Sequence, residues 1–490
     1  MPELAFVLLF FAAVLAVGSW RHGLLLCALF AILQDPMRKI TPGQPVYFVV
    51  MVGVVFGAAW IGALLSRVSL APSSIRGWRR QIGVPFTLYL ILVALQAGHS
   101  LARFGSLPMT AIGLLFYLAP LPAIVFAYQY ATRFDVRGVS QWMWFYVLLA
   151  TLSLSGVYLE YIGYEWPVLG EVGEGIIIYD VSLALKAFSG FYRASEIAAW
   201  HTASIACFLF LLLFGQRRSL SRLLLALALI ALLIALGTLT GRRKMLVQII
   251  IFISSYFVLF AWFQRGATKL AGFVGLSGVL AYVLVVGMAG PDPGDHDFGT
   301  QRLSIGSDSL YQAYAIRTQS VLGDIPERFS QLGIAPVAWA VRSYGWMGAG
   351  LGSGSQGTQH FVAEDVMDRG AAEGGLGKLT LELGVPGLIL VLWLGLALAR
   401  YVWRVLAYVA LVSPPHARFG YGLVAFLIAN VAAFSVATQA FGDLFVLLTL
   451  GWVLGFLLAL PGLAKRRAAA VQALRERQLA ARAAVAEPRG

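Results

Sequence analysis

Seven side chains and one glycine run in this 490-residue chain have the types and surroundings for chemistry. Five are arginines, Arg193, Arg242, Arg243, Arg328 and Arg342, and two exchange protons, His360 and Glu373. Guanidinium forks hold and neutralise phosphate oxygens, and a histidine or carboxylate takes the proton from an attacking hydroxyl. Such a set suits group transfer from a lipid-linked diphosphate, provided the chain gathers it at one bilayer surface. Between Arg342 and His360, Gly348-Ala349-Gly350-Leu351-Gly352-Ser353-Gly354-Ser355-Gln356-Gly357 offers successive backbone amides that glycine lets come close to an oxyanion. That run reads either as a phosphate nest or as a flexible turn. It is neither a Walker loop, lacking the Gly-Lys-Ser/Thr end, nor a dinucleotide fingerprint.

Membrane helices must position these groups. The chain is 59% hydrophobic and 12% charged, far from the roughly 25% charge of soluble domains. Apolar runs of about 20 residues recur, the length a bilayer core asks of a helix, with no strand-like alternation. The spacing predicts spans near 3–19, 22–36, 45–65, 83–98, 109–129, 142–162, 194–214, 223–238, 244–264, 270–289, 379–400, 418–438 and 442–461. The expected fold is an all-α polytopic integral membrane protein of about 12–13 transmembrane helices, the first two short. It divides into a bundle over 1–289, a large loop over 290–378, C-terminal helices over 379–461 and a basic tail over 462–490.

Charge then orients it. Arginine clusters at Arg76, Arg79 and Arg80, at Arg133 and Arg137, at Arg217, Arg218 and Arg222, and in the tail alternate onto one side, which the topological rule makes cytoplasmic. The large loop, with ten of the chain's 23 acidic residues, and the acidic connection before residue 194 fall outside. A net charge of +13 distributed in these short clusters suits anionic lipid, and no soluble domain remains to bind nucleic acid. Cys27 and Cys207 lie inside apolar runs and point to neither a disulfide nor a metal. Arg193 and the Arg242-Arg243-Lys244 run fall on the external side, against the rule, and positive charge there needs an acidic or anionic partner. The ordinary readings are an Arg193–Glu196 pair and a helix-flanking anchor at 242–244; His201 reads mostly as packing, two turns from Arg193. Neither a metal nor a cofactor is called for.

Arg328 precedes Trp339 by eleven residues, Gly348-Ala349-Gly350-Leu351-Gly352 follows, and Glu382-Leu383-Gly384-Val385-Pro386-Gly387-Leu388 opens the next span. This order resembles the O-antigen ligase and polymerase family of bacterial envelope membrane proteins, over about residues 190–400. Thr240-Gly241-Arg242-Arg243 resembles that family's Ser-Arg-Gly-like element, which implies a diphosphate-binding role for Arg242, with Arg243 next. The resemblance implies a GT-C-like glycosyltransferase of the bacterial inner membrane with its active site facing the periplasm. It implies an undecaprenyl-diphosphate-linked oligosaccharide donor, a glycan acceptor, metal-independent inversion, and chain-length regulators or export proteins as partners. Where the family has a histidine-asparagine pair, this chain has Glu373-Gly374, with His360 thirteen residues earlier. The base is therefore Glu373 or His360, and the departure favours a polysaccharide polymerase over a ligase acting on lipid A core. A transporter is the non-enzyme alternative; it requires charge at span centres and discontinuous helices.

Overall fold

Lipid offers backbone groups no water to bond, so an apolar run must satisfy its own N–H and C=O groups. In the computed structural model, which describes residues 2–172, 177–180, 183–215, 219–264, 266–289, 310–315, 329–355 and 374–486, the apolar runs are helices. In chain order these are α1 (Pro2–Gly18), α2 (Trp20–Lys39), α3 (Met51–Leu65), α4 (Trp78–Gln81), α5 (Gly83–Phe104), α6 (Leu107–Leu118) and α7 (Pro120–Tyr161). A hairpin of β1 (Ile177–Asp180) and β2 (Leu183–Lys186) follows. Then come α8 (Ser195–Phe210), α9 (Leu220–Thr238), α10 (Lys244–Phe263), α11 (Ala267–Ala289), α12 (Ala335–Tyr344), α13 (Gly375–Val412), α14 (Pro414–Val436) and α15 (Leu444–Ala486).

Nine helices among the described residues are long and apolar enough to cross a membrane, so the chain is a multi-pass helical membrane protein. One of them, over 107–161, is α6 and α7 in series and is broken at Asp135, whose φ is 59°. It covers two expected spans, 109–129 and 142–162. Shorter apolar helices at Glu3–Gly18 and Lys269–Ala281 occupy two more. The antiparallel hairpin, with Ile177 opposite Lys186, is the one strand pairing among the described residues and lies in the acidic connection before α8.

Two helices form the axis. The apolar windows of α8 and α15 are each 89% buried. Apolar surface gains nothing by leaving lipid for protein, so close helix contact depends on small residues. On α15, Gly451 and Gly455 bring its backbone against Pro120 and Ile124 of α7, beside Ala123 and Ala127. The second half of α7 measures the bundle: Gln141 binds Arg21 near its start, Glu160 binds the 189–190 amides near its end, and the rise between them is about 29 Å. Basic residues gather at the Gln141 end, where Arg404 donates to Gln81 and Arg466 to the Thr132 carbonyl. Arg193 lies at the Glu160 end.

Candidate functional site

Residues 187–195 cross the Glu160 end of α7 as a buried ribbon that ends in Arg193. Gly190 has φ +59°, and a Cβ there would collide with the Val157 backbone, so only glycine lets the ribbon lie this close. Glu160 Oε2 accepts from the amides of Ser189 (3.0 Å) and Gly190 (2.9 Å). Lys39 Nζ donates to the carbonyls of Gly190 (2.7 Å) and Tyr192 (2.6 Å). Val172 N donates to the Arg193 carbonyl (2.9 Å), and Ser195 N to Glu171 (2.8 Å). A ribbon whose polar groups are spent this way holds Arg193 in one place.

The Arg193 guanidinium binds two carboxylates, Asp35 from α2 (3.1 Å) and Asp443 from the start of α15 (2.7 Å). Asp35 also accepts the Arg193 amide (3.0 Å). Asp443 caps α15 by accepting from Phe445 N (2.7 Å) and Val446 N (3.2 Å), so its charge also meets the positive end of that helix. Burial works against the Arg193 charge, but Asp35 and Asp443 overcome it and hold the pKa above its ordinary value. The expected Arg193–Glu196 pair is not formed; Glu196 belongs to Arg242 instead. The physical reason is the extended ribbon, since Arg193 precedes the first turn of α8 and points to α2 and α15.

Arg242 stands in the tight turn between α9 and α10. Thr240 Oγ1 donates to the Gly237 carbonyl (2.7 Å) and accepts from Arg242 N (3.3 Å), closing the turn. The Arg242 side chain reaches Glu196 (2.7 Å) and Ser195 Oγ (3.0 Å), which joins it to the ribbon that carries Arg193. Arg243, half-buried, follows in the turn, and Lys244 Nζ donates to Gln439 Oε1 (2.9 Å). Within 242–244, Arg242 thus forms an ion pair inside the protein and Lys244 bonds a neutral amide.

Beside this turn a cavity of about 660 Å3 runs between α9, α10 and α11. Its wall is apolar, from Thr238 at the Arg242 end to Leu223 about 22 Å along α9. Tyr311 and Ala315, from a short helical turn at 310–315, also line it. Tyr314 of the same turn bonds the Lys186 carbonyl and stacks edge-on against Phe188, tying this piece of the large loop to the hairpin and ribbon.

The glycine run is neither an open nest nor a flexible turn. Residues 348–353 are buried between α5, α6 and α13, and a Cβ on Gly352 would collide with the Met109 carbonyl. The run already meets an anion: Glu382, fully buried, accepts from Gly354 N (2.9 Å) and Ser355 Oγ (2.9 Å) of the run and from Tyr117 OH (2.6 Å). Helix α13 breaks at Gly384 (φ 72°), and the loop satisfies the freed groups. Ala349 N donates to the Leu381 carbonyl (2.6 Å), Val385 N to the Trp346 carbonyl (2.9 Å), and Gln96 Nε2 bridges the Met347 and Leu383 carbonyls. Lys378, equally buried, places Nζ 3.6 Å from the centre of the Phe116 ring.

Of the seven sequence candidates, Arg193 and Arg242 meet through Ser195 and Glu196, with Arg243 adjacent. Arg342 does not join them: it is exposed on α12 and bonds the Ala338 carbonyl of its own helix (3.3 Å). Arg328, His360 and Glu373 lie outside the described residues. His201 is a packing residue, bonded to Tyr146 (2.8 Å) and stacked on Tyr192. The sequence reading missed Asp35, Lys39 and Asp443. Asp35 and Asp443 do flank apolar runs on the side where the misplaced arginines need acidic partners, but nothing in the local sequence says which groups pair. No protein-family model matches the chain, and no curated protein sequence matches it significantly.

Proposed function

We propose that the chain is a membrane glycosyltransferase with a GT-C-like architecture. It transfers a glycan from undecaprenyl diphosphate to a hydroxyl of another lipid-linked repeat unit, at the periplasmic face of a bacterial inner membrane. One observation carries the reading: the Arg242 turn follows Thr238, which lines the near end of an apolar cavity about 22 Å long, so a cationic turn stands close to a slot for an isoprenoid tail. The basic residues at the opposite end of the bundle support the orientation.

In the reaction the acceptor oxygen attacks the anomeric carbon, the bond from that carbon to the diphosphate oxygen breaks, and the diphosphate leaves with the electron pair. Arg242 and Arg243 neutralise the departing charge. Glu196 accommodates the ligand by sharing or releasing Arg242, while Arg193, tied to two carboxylates, fixes the ribbon. The acceptor proton passes to Glu373 or His360. Reconstitution with an undecaprenyl-diphosphate oligosaccharide tests the reading: lengthened lipid-linked product supports the polymerase, glycan on lipid A core would make it a ligase, and no transfer with either acceptor would overturn both.

One observation favours the transporter reading, the buried Glu382 and Lys378 beside the break in α13. Glu382, however, already accepts three hydrogen bonds from the loop and Tyr117, the pattern of an anchor for the loop. Substrate-independent flux of a labelled solute through proteoliposomes would decide for transport.

A further inference from the structure

Arg193 and Arg242 meet carboxylates inside the protein; a third arginine at the same end does not. Arg38 follows Asp35 by three residues on α2 and so shares the flank whose carboxylate holds Arg193. Its Nε donates to the Gln44 carbonyl (2.9 Å), while its two Nη groups carry no hydrogen bond or ion pair among the described residues. The loop braced by that bond, 39–44, lines a shallow hollow open to solvent, and Arg38 stands beside this hollow through its bond to Gln44. Lys39, on the wall of the hollow, is committed to the Arg193 ribbon. Just beyond the loop, Val46, Tyr47 and Val50 of a 3-10 turn at 46–50 and Val54 of α3 are exposed, an apolar face on which a lipid tail can lie. The Arg193 ribbon thus has a cation beside an apolar surface on each flank: Arg242 with the α9–α11 cavity, and Arg38 with the face over 46–54.

We propose that Arg38 and the hollow over 39–44 form a second lipid-diphosphate site, which holds the diphosphate of the acceptor chain while Arg242 holds that of the donor. The assignment rests on the transferase reading above and deepens it. Two Nη groups without a partner among the described residues match a phosphate bidentately, and no carboxylate among those residues has to be displaced first. A polymerase joins two lipid-linked chains and needs both headgroups fixed, one on each side of the point of attack.

Native mass spectrometry of the purified full-length protein with farnesyl diphosphate, a short polyprenyl diphosphate, counts the sites. Two molecules are expected per chain, falling to one in Arg38→Ala and to one in Arg242→Ala, with Arg38→Lys retaining the second at roughly tenfold weaker affinity. Tryptophan fluorescence and gel filtration matching wild type show that the variants are folded. Two molecules retained by Arg38→Ala would overturn the second site. So would a single molecule on wild type that only Arg242→Ala removes, an outcome that leaves the donor site standing. No binding at all would overturn the transferase reading as well. Inorganic diphosphate or phosphatidylglycerol competing at the Arg38 site as well as farnesyl diphosphate would mark a free-anion or phospholipid site and overturn the acceptor assignment. In the transfer assay, Arg38→Ala should raise the KM for acceptor about tenfold with the donor KM unchanged.

Discussion

Arg193 and Arg242 differ in what a substitution leaves behind. Removing Arg193 strands Asp35 and Asp443, both buried, so Arg193→Ala should cost about 3–5 kcal/mol of stability and abolish transfer together. Arg242 faces one buried carboxylate, Glu196, where Arg193 faces two; Arg242→Ala should lower the melting temperature less than Arg193→Ala does and lower the transfer rate about a hundredfold. Equal thermal losses in the two variants would contradict this division. Lys39 adds a pH dependence: burial lowers its pKa from 10.5 to about 8 against the opposing pull of Asp35, Glu160 and Glu171. Between pH 8 and 10.5 the unfolded chain binds more protons at this group than the folded one, so its contribution to stability rises with pH across that window. Diphosphate binding runs the other way, weakening several-fold from pH 7 to 9 as the charge beside Arg193 is lost, and Lys39→Met should flatten the step in a binding titration. Arg193 and Arg242 were legible because their sign opposes the topological rule. Asp35 and Asp443 were not, because their partner is more than a hundred residues away in each direction and nothing local marks an interhelical pair.

Helix α13 and the glycine run form a single device. The break at Gly384 would leave carbonyls unpaired in the buried helix; Ala349 N of the run bonds that of Leu381 and Gln96 of α5 that of Leu383, while Glu382 takes up Gly354 N and Ser355 Oγ of the run. Glu382→Ala should therefore expose the 345–355 segment to limited proteolysis without releasing the protein from the membrane, at a cost of about 1–3 kcal/mol. Glu382→Gln, which keeps one acceptor oxygen, should be cleaved at an intermediate rate; wild-type resistance in the alanine variant would separate the loop from the helix break. The sequence offered a loop rich in glycine followed by Glu-Leu-Gly and left open which use the glycines served. Positive φ serves exposure to a ligand and close packing on a neighbour equally well. The distinguishing partner, Gly113 on α6, is an unremarked residue in an apolar helix that touches Gly352 only once the chain is folded.

Across the whole molecule, span length was enough for a helical bundle, because lipid restricts the backbone to helices, while arginine placement sets an expected orientation that reporter fusions test. The kink at Asp135 let one continuous helix serve as two spans without disturbing that reading. A reporter enzyme fused after Ala486 should be active only in the cytoplasm, and one inserted between Gly163 and Trp166 only in the periplasm; the reverse pattern would place the Arg242 turn on the wrong side for the proposed donor. The ion pair among residues 35, 193 and 443 unites the beginning, middle and end of the chain. A ribosome still translating the first 440 codons has therefore released an arginine with half its counter-charge missing. The bundle can latch only when its final span arrives, so partial translation products should be inert, and degradation-prone, however many of their spans have already been inserted.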